Sequence, residues 1–274
     1  GTCFGDAAVD ECGVCDGDGP AENFTCDSFQ PITKDALQTA VDMWLDDNAT
    51  ALSIYGEVNT WDVSLITDME KLFHYTAFSD DISNWDVSNV TNMQQMFNSA
   101  WAFNHDLSNW DVSNVTNMIA MFWGSSLGCE AHGDIDNDNS ISGWDVSNVL
   151  YMKQMFWNSG CFNGDITGWD VSNVITMEVM LANTDFTHDV SGWDISNVVN
   201  FSGMFGSSND LSDEVECAIH TAFSSNDAWP YDWSENQDCA GTCFGDAAVD
   251  ECGECGGSGP AENFTCDSFQ PTTK

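Results

Sequence analysis

One segment of the chain carries alternating oxygen ligands that could bind a hard cation. Those ligands are Asp134, Asp136, Asp138 and Ser140. This order is that of the first half of a calcium-binding loop, in which every second residue supplies an oxygen. Asn139 and Asp145 stand where such loops carry a glycine and a bidentate glutamate. We therefore expect calcium here, with a solvated acidic loop as the alternative.

Twelve cysteines could form disulfides or hold a metal. They are Cys3, Cys12, Cys15, Cys26, Cys129, Cys161, Cys217, Cys239, Cys243, Cys252, Cys255 and Cys266. This density is typical of disulfides in an oxidising compartment. The two Cys-x-x-Cys pairs could also indicate zinc or redox chemistry, but no histidine lies nearby and flanking carboxylates raise a thiol pKa. We expect disulfides.

Six Asn-x-Ser/Thr sequons are candidate glycosylation sites. They are Asn23, Asn48, Asn89, Asn114, Asn200 and Asn263. Asn89 and Asn114 belong to a repeated pattern, so a structural role competes with glycosylation there. Asn23 and Asn263 lie in cysteine-rich segments and are the better candidates.

An internal repeat must position these residues. Trp-Asp-Val-Ser-Asn-Val-Thr-Asn-Met occurs unchanged at residues 85–93 and 110–118. Six copies begin at Trp61, Trp85, Trp110, Trp144, Trp169 and Trp193. The spacings between these tryptophans are 24, 25, 34, 25 and 24 residues. A fixed period in this range predicts a solenoid whose stacked repeats bury one continuous core.

Each repeat contains a turn signal and two apolar segments. The Asp-x-Ser that follows the tryptophan is typical of an Asx-turn. The spacing of Met93, Met96 and Phe97 predicts a short helix, and Phe103–Leu107 predicts a strand of a parallel sheet. We therefore predict an α/β solenoid of the leucine-rich-repeat type over residues 57–211, with short parallel strands and short helices.

The Trp-Asp-x-Ser-x-Val-x-x-Met-x-x-Met-Phe pattern resembles the repeats of BspA-like surface proteins, relatives of the leucine-rich repeats. The resemblance covers residues 57–211. It implies an extracellular or cell-surface protein of a microbe, in a family where many members have no known enzymatic activity.

Caps are expected at both ends of the repeats. Residues 33–56 form the N-terminal cap, with an amphipathic helix over residues 33–47 for which Thr33 is the candidate N-cap. The apolar residues that recur there at helical spacing are Leu37, Ala40, Val41, Trp44 and Leu45. Residues 212–237 form the C-terminal cap, with a helix over Val215–Phe223 and an aromatic lid at residues 229–233. Such caps cover the core that the end repeats would otherwise expose.

Cysteine-rich connectors flank the caps at residues 1–32 and 238–274. Residues 1–34 recur as residues 241–274 with four differences, so we expect the chain to be a part of a longer concatenated polymer. Each connector is too short for a core, so disulfides must fix its shape. Asp16 and Asp18 are a further candidate calcium pair, in the manner of thrombospondin type 3 repeats. The second copy lacks both carboxylates.

The longest spacing, between Trp110 and Trp144, contains an insertion with Cys129. Cys161 occupies a nearby position in the following repeat. Because stacked repeats lie about 4.8 Å apart, we expect a Cys129–Cys161 disulfide that holds the insertion in place.

Charge excludes several classes of partner. The chain has 45 acidic residues, four lysines and no arginine, with a net charge of −41. Nucleic acids and anionic membranes require basic contacts, so neither is expected as a partner. No apolar run is long enough to span a membrane and no N-terminal signal is present. We therefore expect no membrane insertion of this segment.

The sequence contains no phosphate loop, no catalytic triad and no histidine cluster, so we do not expect an enzyme. The first functional hypothesis is an extracellular fibre or cell-surface appendage, such as a flagellar hair, in which copies of the chain join head to tail. The alternative is a cell-surface adhesin that displays exposed aromatics on one face, with glycans as candidate partners.

Overall fold

The structure is a computed structural model that describes residues 10, 12, 14–15, 17–129, 141–206, 211–259 and 266. Three α-helices lie within these residues: α1 (Lys34–Asp46), α2 (Asn48–Tyr55) and α3 (Asp213–Phe223). Short 3-10 helices occupy Val58–Thr60 and Ser234–Asn236. The six tryptophan repeats between α2 and α3 contain no α-helix in the part of the chain that the structure describes.

The predicted α/β solenoid with short parallel strands and short helices is wrong. The described residues contain no β-strand, and Phe103–Leu107 is irregular. Neighbouring repeats are joined by isolated parallel β-bridges, which involve one equivalent residue in each repeat. They join Asp68, Asn92, Asn117, Tyr151, Thr176 and Asn200 in that order. The repeats therefore form a stack of six turn-rich coils, without a sheet.

Successive β-turns replace the predicted helix. Met96 N donates to Met93 O at 3.1 Å and Ala100 N donates to Phe97 O at 3.0 Å. The third residue of each turn has a positive φ, 56° at Gln95 and 54° at Ser99, as a type II turn requires. Positive φ at every fourth residue prevents both an α-helix and an extended strand. The apolar spacing is the same as that of a helix because these four-residue turns also bring Met93, Met96 and Phe97 inward.

Hydrogen bonds between coils hold the stack together. Met93 N donates to Asn117 O at 2.9 Å, and Phe97 N donates to Met121 O at 2.8 Å. Every described coil donates to the next in this register, so the backbone groups that the turns leave free are paired between neighbours.

Stacked aromatic rings fill the centre of the coils. The ring of Phe97 lies 5.5 Å from that of Phe73 and 5.5 Å from that of Phe122, parallel to within 11° and 2°. Each of the six repeat tryptophans donates its indole N–H to a carbonyl of the segment before it; Trp110 Nε1, for example, lies 3.2 Å from Ile82 O. A buried indole thereby keeps a hydrogen-bond partner.

Helices close both ends of the stack. Thr33 Oγ1 accepts from Ala36 N at 3.2 Å and caps α1, which buries Leu37 and Trp44 against the first coil. At the other end α3 begins two residues before the predicted Val215. The Tyr231 hydroxyl accepts from Phe205 N at 3.0 Å, so the C-terminal cap takes the place of a seventh coil.

Val179 is a strained position that a substitution should relieve. It is β-branched and has a φ of 57°, a conformation that costs an L-residue roughly 1–2 kcal/mol. Gly203 occupies the same place in the next coil. We expect Val179→Gly to raise the free energy of unfolding by about 0.5–1 kcal/mol, measured by denaturant titration. Ile175→Gly, at a half-buried position of ordinary φ, should lower it; equal effects of the two variants would contradict this explanation.

Candidate functional site

The first connector is docked on the first coil. Phe29 is only 3% exposed, and its ring lies 5.2 Å from that of Trp61 and 4.6 Å from that of Tyr55. Asp62 N donates to Phe29 O at 2.9 Å. Gln30 Nε2 donates to Asp62 Oδ2 at 2.5 Å. The connector therefore packs against the first coil and extends the hydrogen bonding of the stack.

The aspartate that receives the connector also belongs to the repeat pattern. Asp62 Oδ1 accepts from Ser64 N at 3.1 Å, the predicted Asx-turn. Partial burial raises the pKa of Asp62, but hydrogen bonds from Ser64 and Gln30 outweigh it and lower the pKa overall. The ionised carboxylate is thus the form that holds the connector.

The second connector is bonded to the C-terminal cap. Cys217 is buried in α3 and forms a disulfide with Cys243. Phe244 N donates to Asn236 O at 2.7 Å. A Cys239–Cys255 disulfide lies within the connector and ties its first residues to the repeated segment. The Cys217–Cys243 disulfide and the Phe244–Asn236 hydrogen bond therefore join the cap and the connector that follows it.

Each connector contains an internal disulfide at the same position. Cys12–Cys26 in the first copy corresponds to Cys252–Cys266 in the second, and each closes a segment with a sequence separation of 14. Cys15 is also disulfide-bonded. Cys3 lies outside the described residues. Five disulfides joining described cysteines fit a secreted or extracellular protein.

Each connector loop is built around one aspartate, which the sequence did not reveal. Asp250 Oδ1 accepts from Cys252 N and Glu254 N at 2.8 and 2.9 Å, and Oδ2 accepts from Gly259 N at 2.8 Å. Asp10 and Asp238 make the same three contacts at the same spacings. Backbone hydrogen bonds lower the pKa of Asp238 and Asp250. The sequence feature that the three loops share is a glycine seven residues after the aspartate, at Gly17, Gly245 and Gly257. A Cβ at any of these positions would lie 2.1 Å from the aspartate Oδ2.

The expected disulfide holds the insertion in place. Cys129 and Cys161 form a disulfide, with Cα atoms 5.1 Å apart. Asn104 Nδ2 also donates to Cys129 O at 2.8 Å. The candidate calcium ligands Asp134, Asp136, Asp138 and Ser140 lie outside the described residues, as does Asp16. Asp18 is exposed, and no group of three or more His, Cys, Asp or Glu side chains among the described residues could hold a metal ion.

An asparagine column explains the sequons within the repeat. Asn89 Nδ2 donates to Ser64 O and Asn114 Nδ2 donates to Ser88 O, each at 2.8 Å. Asn148, Asn173 and Asn197 make the same contact in later coils. The two sequon asparagines therefore connect neighbouring coils.

The remaining sequons differ in the contacts of their side chains. Asn200 Nδ2 donates to Glu178 Oε2 at 2.9 Å, and Asn23 Oδ1 accepts from Ile32 N at 3.1 Å. Asn48 is exposed at the start of α2. Asn263 lies outside the described residues.

Glycan occupancy should follow these contacts. In protein secreted from a eukaryotic host, we expect a glycan at Asn48 and none at Asn89 or Asn114, because the side-chain amides of the latter two are committed to the preceding coil. Mass spectrometry of glycopeptides before and after enzymatic deglycosylation measures this. Occupancy at Asn89 equal to that at Asn48 would contradict a structural role for the column.

The Asx-turn aspartates should make the stack sensitive to acid. Hydrogen bonds from the side chain and backbone of Ser113 and Ser172 lower the pKa of Asp111 and Asp170 below the ordinary value of 3.8. A carboxyl whose pKa is lower in the folded chain than in the unfolded chain stabilises the fold at pH values above its unfolded-state pKa. That contribution is lost as the pH falls through its folded-state pKa.

This pH dependence is measurable by comparison. Below about pH 4, we expect the wild type to lose more stability than Asp111→Asn/Asp170→Asn, because an amide keeps an Asx-turn without titrating. Thermal unfolding at fixed ionic strength between neutral and acidic pH gives the difference. Identical acid profiles would show that these turns do not contribute.

A family model matches most of the chain. It is described as a Mycoplasma protein of unknown function, DUF285, and it matches residues 42–128 and 128–227. The family falls within the BspA-like group of surface proteins, so this coarse part of the resemblance is confirmed. The expected leucine-rich-repeat architecture is not confirmed, since the described coils contain no strand. Comparisons with curated proteins and with solved structures found no match.

No helix among the residues that the structure describes has both the length and the apolar character needed to cross a bilayer.

Proposed function

The chain belongs to the DUF285 family, and from that premise we propose that it is the repeating unit of an extracellular structural fibre or cell-surface appendage, such as a flagellar hair. Its partners are copies of its own stack, joined head to tail through the connectors. In this proposal the chain is not an enzyme.

The observation that carries the proposal is that connectors are attached on both sides. One copy is docked on the coil that follows it through Phe29 and Gln30. The other is disulfide-bonded to the cap that precedes it through Cys243. The sequence of the second copy contains the same docking residues, Phe269 and Gln270. A connector with both attachments fixes the orientation of one stack relative to the next.

High acidity suits this role. A net charge of −41 keeps the sides of neighbouring stacks apart at low salt. Association is then restricted to the ends, where the disulfide and the docked phenylalanine provide short-range contacts. An end-to-end contact between unlike surfaces produces an open filament when its rotation does not close into a ring.

Electron microscopy of the native material tests the proposal. We expect ordered filaments with an axial period of one 240-residue unit, and loosening by a calcium chelator if the Asp134–Ser140 segment binds calcium. Dispersed single chains with no preferred angle between stacks would contradict a fibre.

A second candidate function is an adhesin, in which the stacks display a recognition surface. It is supported by two exposed aromatic residues, Tyr75 in the first coil and Trp101 in the second. The two functions are compatible, because the edge of a stack stays accessible when its ends are joined.

A further inference from the structure

A surface cleft lies where the first connector meets the N-terminal cap. It encloses about 360 Å³. The connector contributes Asn23 and Phe24 to its walls, α1 contributes Thr39, and α2 contributes Ile54 and Tyr55. A group that fills the cleft would therefore touch the connector and both helices of the cap at once.

The α2 wall of the cleft is apolar and open to solvent. Ile54 is 45% exposed. The half-buried ring of Tyr55 lies parallel to that of Phe24, with centroids 6.3 Å apart and planes within 9°. An exposed isoleucine beside a pair of rings is an apolar surface that gains stability when it is covered.

The amide of Asn23 is arranged differently from the sequon amides of the coils. Nδ2 of Asn89, Asn114 and Asn200 donates in each case to the preceding coil. Asn23 uses its Oδ1 instead, which accepts from Ile32 N at 3.1 Å. Its Nδ2 has no hydrogen-bond partner among the described residues, and it is not one of the buried unpaired atoms there, so it reaches solvent. A sugar on this Nδ2 would break none of the side chain's hydrogen bonds.

The backbone on both sides of Asn23 is fixed. Phe24 N donates to Ala21 O at 3.0 Å, and Gln30 N donates to Asn23 O at 2.7 Å. Asn23 has a φ of 67°, a conformation that asparagine and aspartate adopt more readily than most residues. Because Asn23 itself lines the cleft, a sugar attached to it begins at the edge of the cleft.

We propose that Asn23 carries an N-linked glycan whose first N-acetylglucosamine fills this cleft and stiffens the joint between connector and cap. The C–H groups on one face of the sugar pack on Ile54 and on the ring of Tyr55. The Glu22 carboxylate, also in the lining, accepts from a sugar N–H or O–H group. The inference rests on the proposed function, in which a stiff joint orients one stack relative to the next.

Attachment of the glycan requires a lipid-linked oligosaccharide pyrophosphate as the donor. A bond forms between Asn23 Nδ2 and C1 of the first sugar, and the bond from C1 to the pyrophosphate breaks. The amide loses one proton, and the lipid pyrophosphate is the leaving group. Asn23-Phe24-Thr25 supplies the acceptor amide and the hydroxyl of the sequon.

Tethering favours the glycan over other occupants of the cleft. A free ligand loses translational and rotational freedom when it binds so open a surface. A sugar attached to a residue of the lining instead binds intramolecularly, at a high effective concentration. A second copy of the chain carries the same net charge of −41 and is repelled at low salt.

Three forms of one secreted protein test the proposal. The chain is produced with Asn48→Gln, so that no glycan on α2 contributes, in a eukaryotic host that makes high-mannose glycans. It is compared as isolated, after an endoglycosidase has left one N-acetylglucosamine, and after a peptide N-glycosidase has converted Asn23 to aspartate. Aspartate keeps an oxygen acceptor for Ile32 N. Amide exchange in residues 17–32 should be equal in the first two forms and about ten-fold faster in the third.

Two substitutions in α2 separate the sugar contact from ordinary packing. Ile54→Ala should accelerate exchange in residues 17–32 several-fold in the glycosylated form and leave the aspartate form unchanged. Leu52→Ala is the control, because Leu52 is similarly exposed on the same helix, at 39%, and is not in the lining of the cleft. It should change neither form.

Three results would overturn the inference. They are the absence of a glycan on Asn23 in glycopeptide mass spectrometry, equal exchange in all three forms, and an effect of Ile54→Ala that does not depend on the sugar. All of these measurements use a single unit, so their outcome is independent of whether filaments form. Dispersed chains in electron microscopy would in turn contradict the fibre and leave the sugar contact intact.

Discussion

Replacing Trp110 with alanine is expected to lower the free energy of unfolding by about 3–5 kcal/mol. The side chain is 3% exposed, lies in the middle of the stack, and donates to Ile82 O. Alanine would leave a cavity between coils and a buried carbonyl without its indole donor. Denaturant-induced unfolding followed by circular dichroism measures the loss.

The chain offers a matched control nine residues away. Trp101 is 54% exposed, and Trp101→Ala should change stability by less than about 0.5 kcal/mol. Both variants remove the same side chain from the same coil region, so burial is the main variable. Similar losses in the two variants would contradict a core built on the repeated tryptophans.

Replacing Phe29 with alanine is expected to release the first connector while the coils stay folded. The lost packing against Trp61 and Tyr55 should cost about 3 kcal/mol locally, because the Phe29 side chain is buried. Amide exchange in residues 17–32 should accelerate by about a hundred-fold, which corresponds to that free energy. Exchange in residues 85–129 and 141–200 should not change.

An exposed phenylalanine of the second connector serves as the control. Phe244→Ala removes a ring that is half exposed in the second connector and should leave exchange near Cys217 unchanged. If Phe29→Ala also accelerated exchange throughout the coils, the connector and the coils would unfold as one cooperative unit, which would contradict local release of the connector.

Local features were predictable where one residue determines the local geometry. The N-cap Thr33 and the apolar face of α1 follow from side-chain chemistry, and both lie where expected except that Leu45 is exposed. The Asp-x-Ser turns likewise require only neighbouring residues, as Asp111 Oδ1 and Ser113 N show at 3.0 Å. The period of the tryptophans located each coil.

The conformation within each coil was not predictable in this way. Buried Met93, Met96 and Phe97 satisfy a helical period and a chain of type II turns equally well. The difference lies in the positive φ of Gln95 and Ser99, which neither residue type indicates. A positive φ is unfavourable for these residues, but it places their N–H groups to donate to the next coil, as Gln95 N does to Ile119 O at 2.8 Å.

The contacts of the connectors also could not be predicted from the sequence. Disulfides were expected at every cysteine, but 12 cysteines allow many pairings, and only the placement of Cys217 in α3 shows that Cys243 bonds to the cap. The aspartates at the centre of the connector loops were missed because their ligands are backbone N–H groups, which every residue except proline carries.

The central claim is that connectors fix one stack relative to the next. It is tested most directly by cryo-electron microscopy of a chain containing two consecutive 240-residue units, with the angle between the two stacks measured particle by particle. We expect a single narrow distribution of angles, which broadens when the phenylalanine equivalent to Phe29 in the second unit is replaced by alanine. A broad distribution in the unmodified chain would contradict the claim.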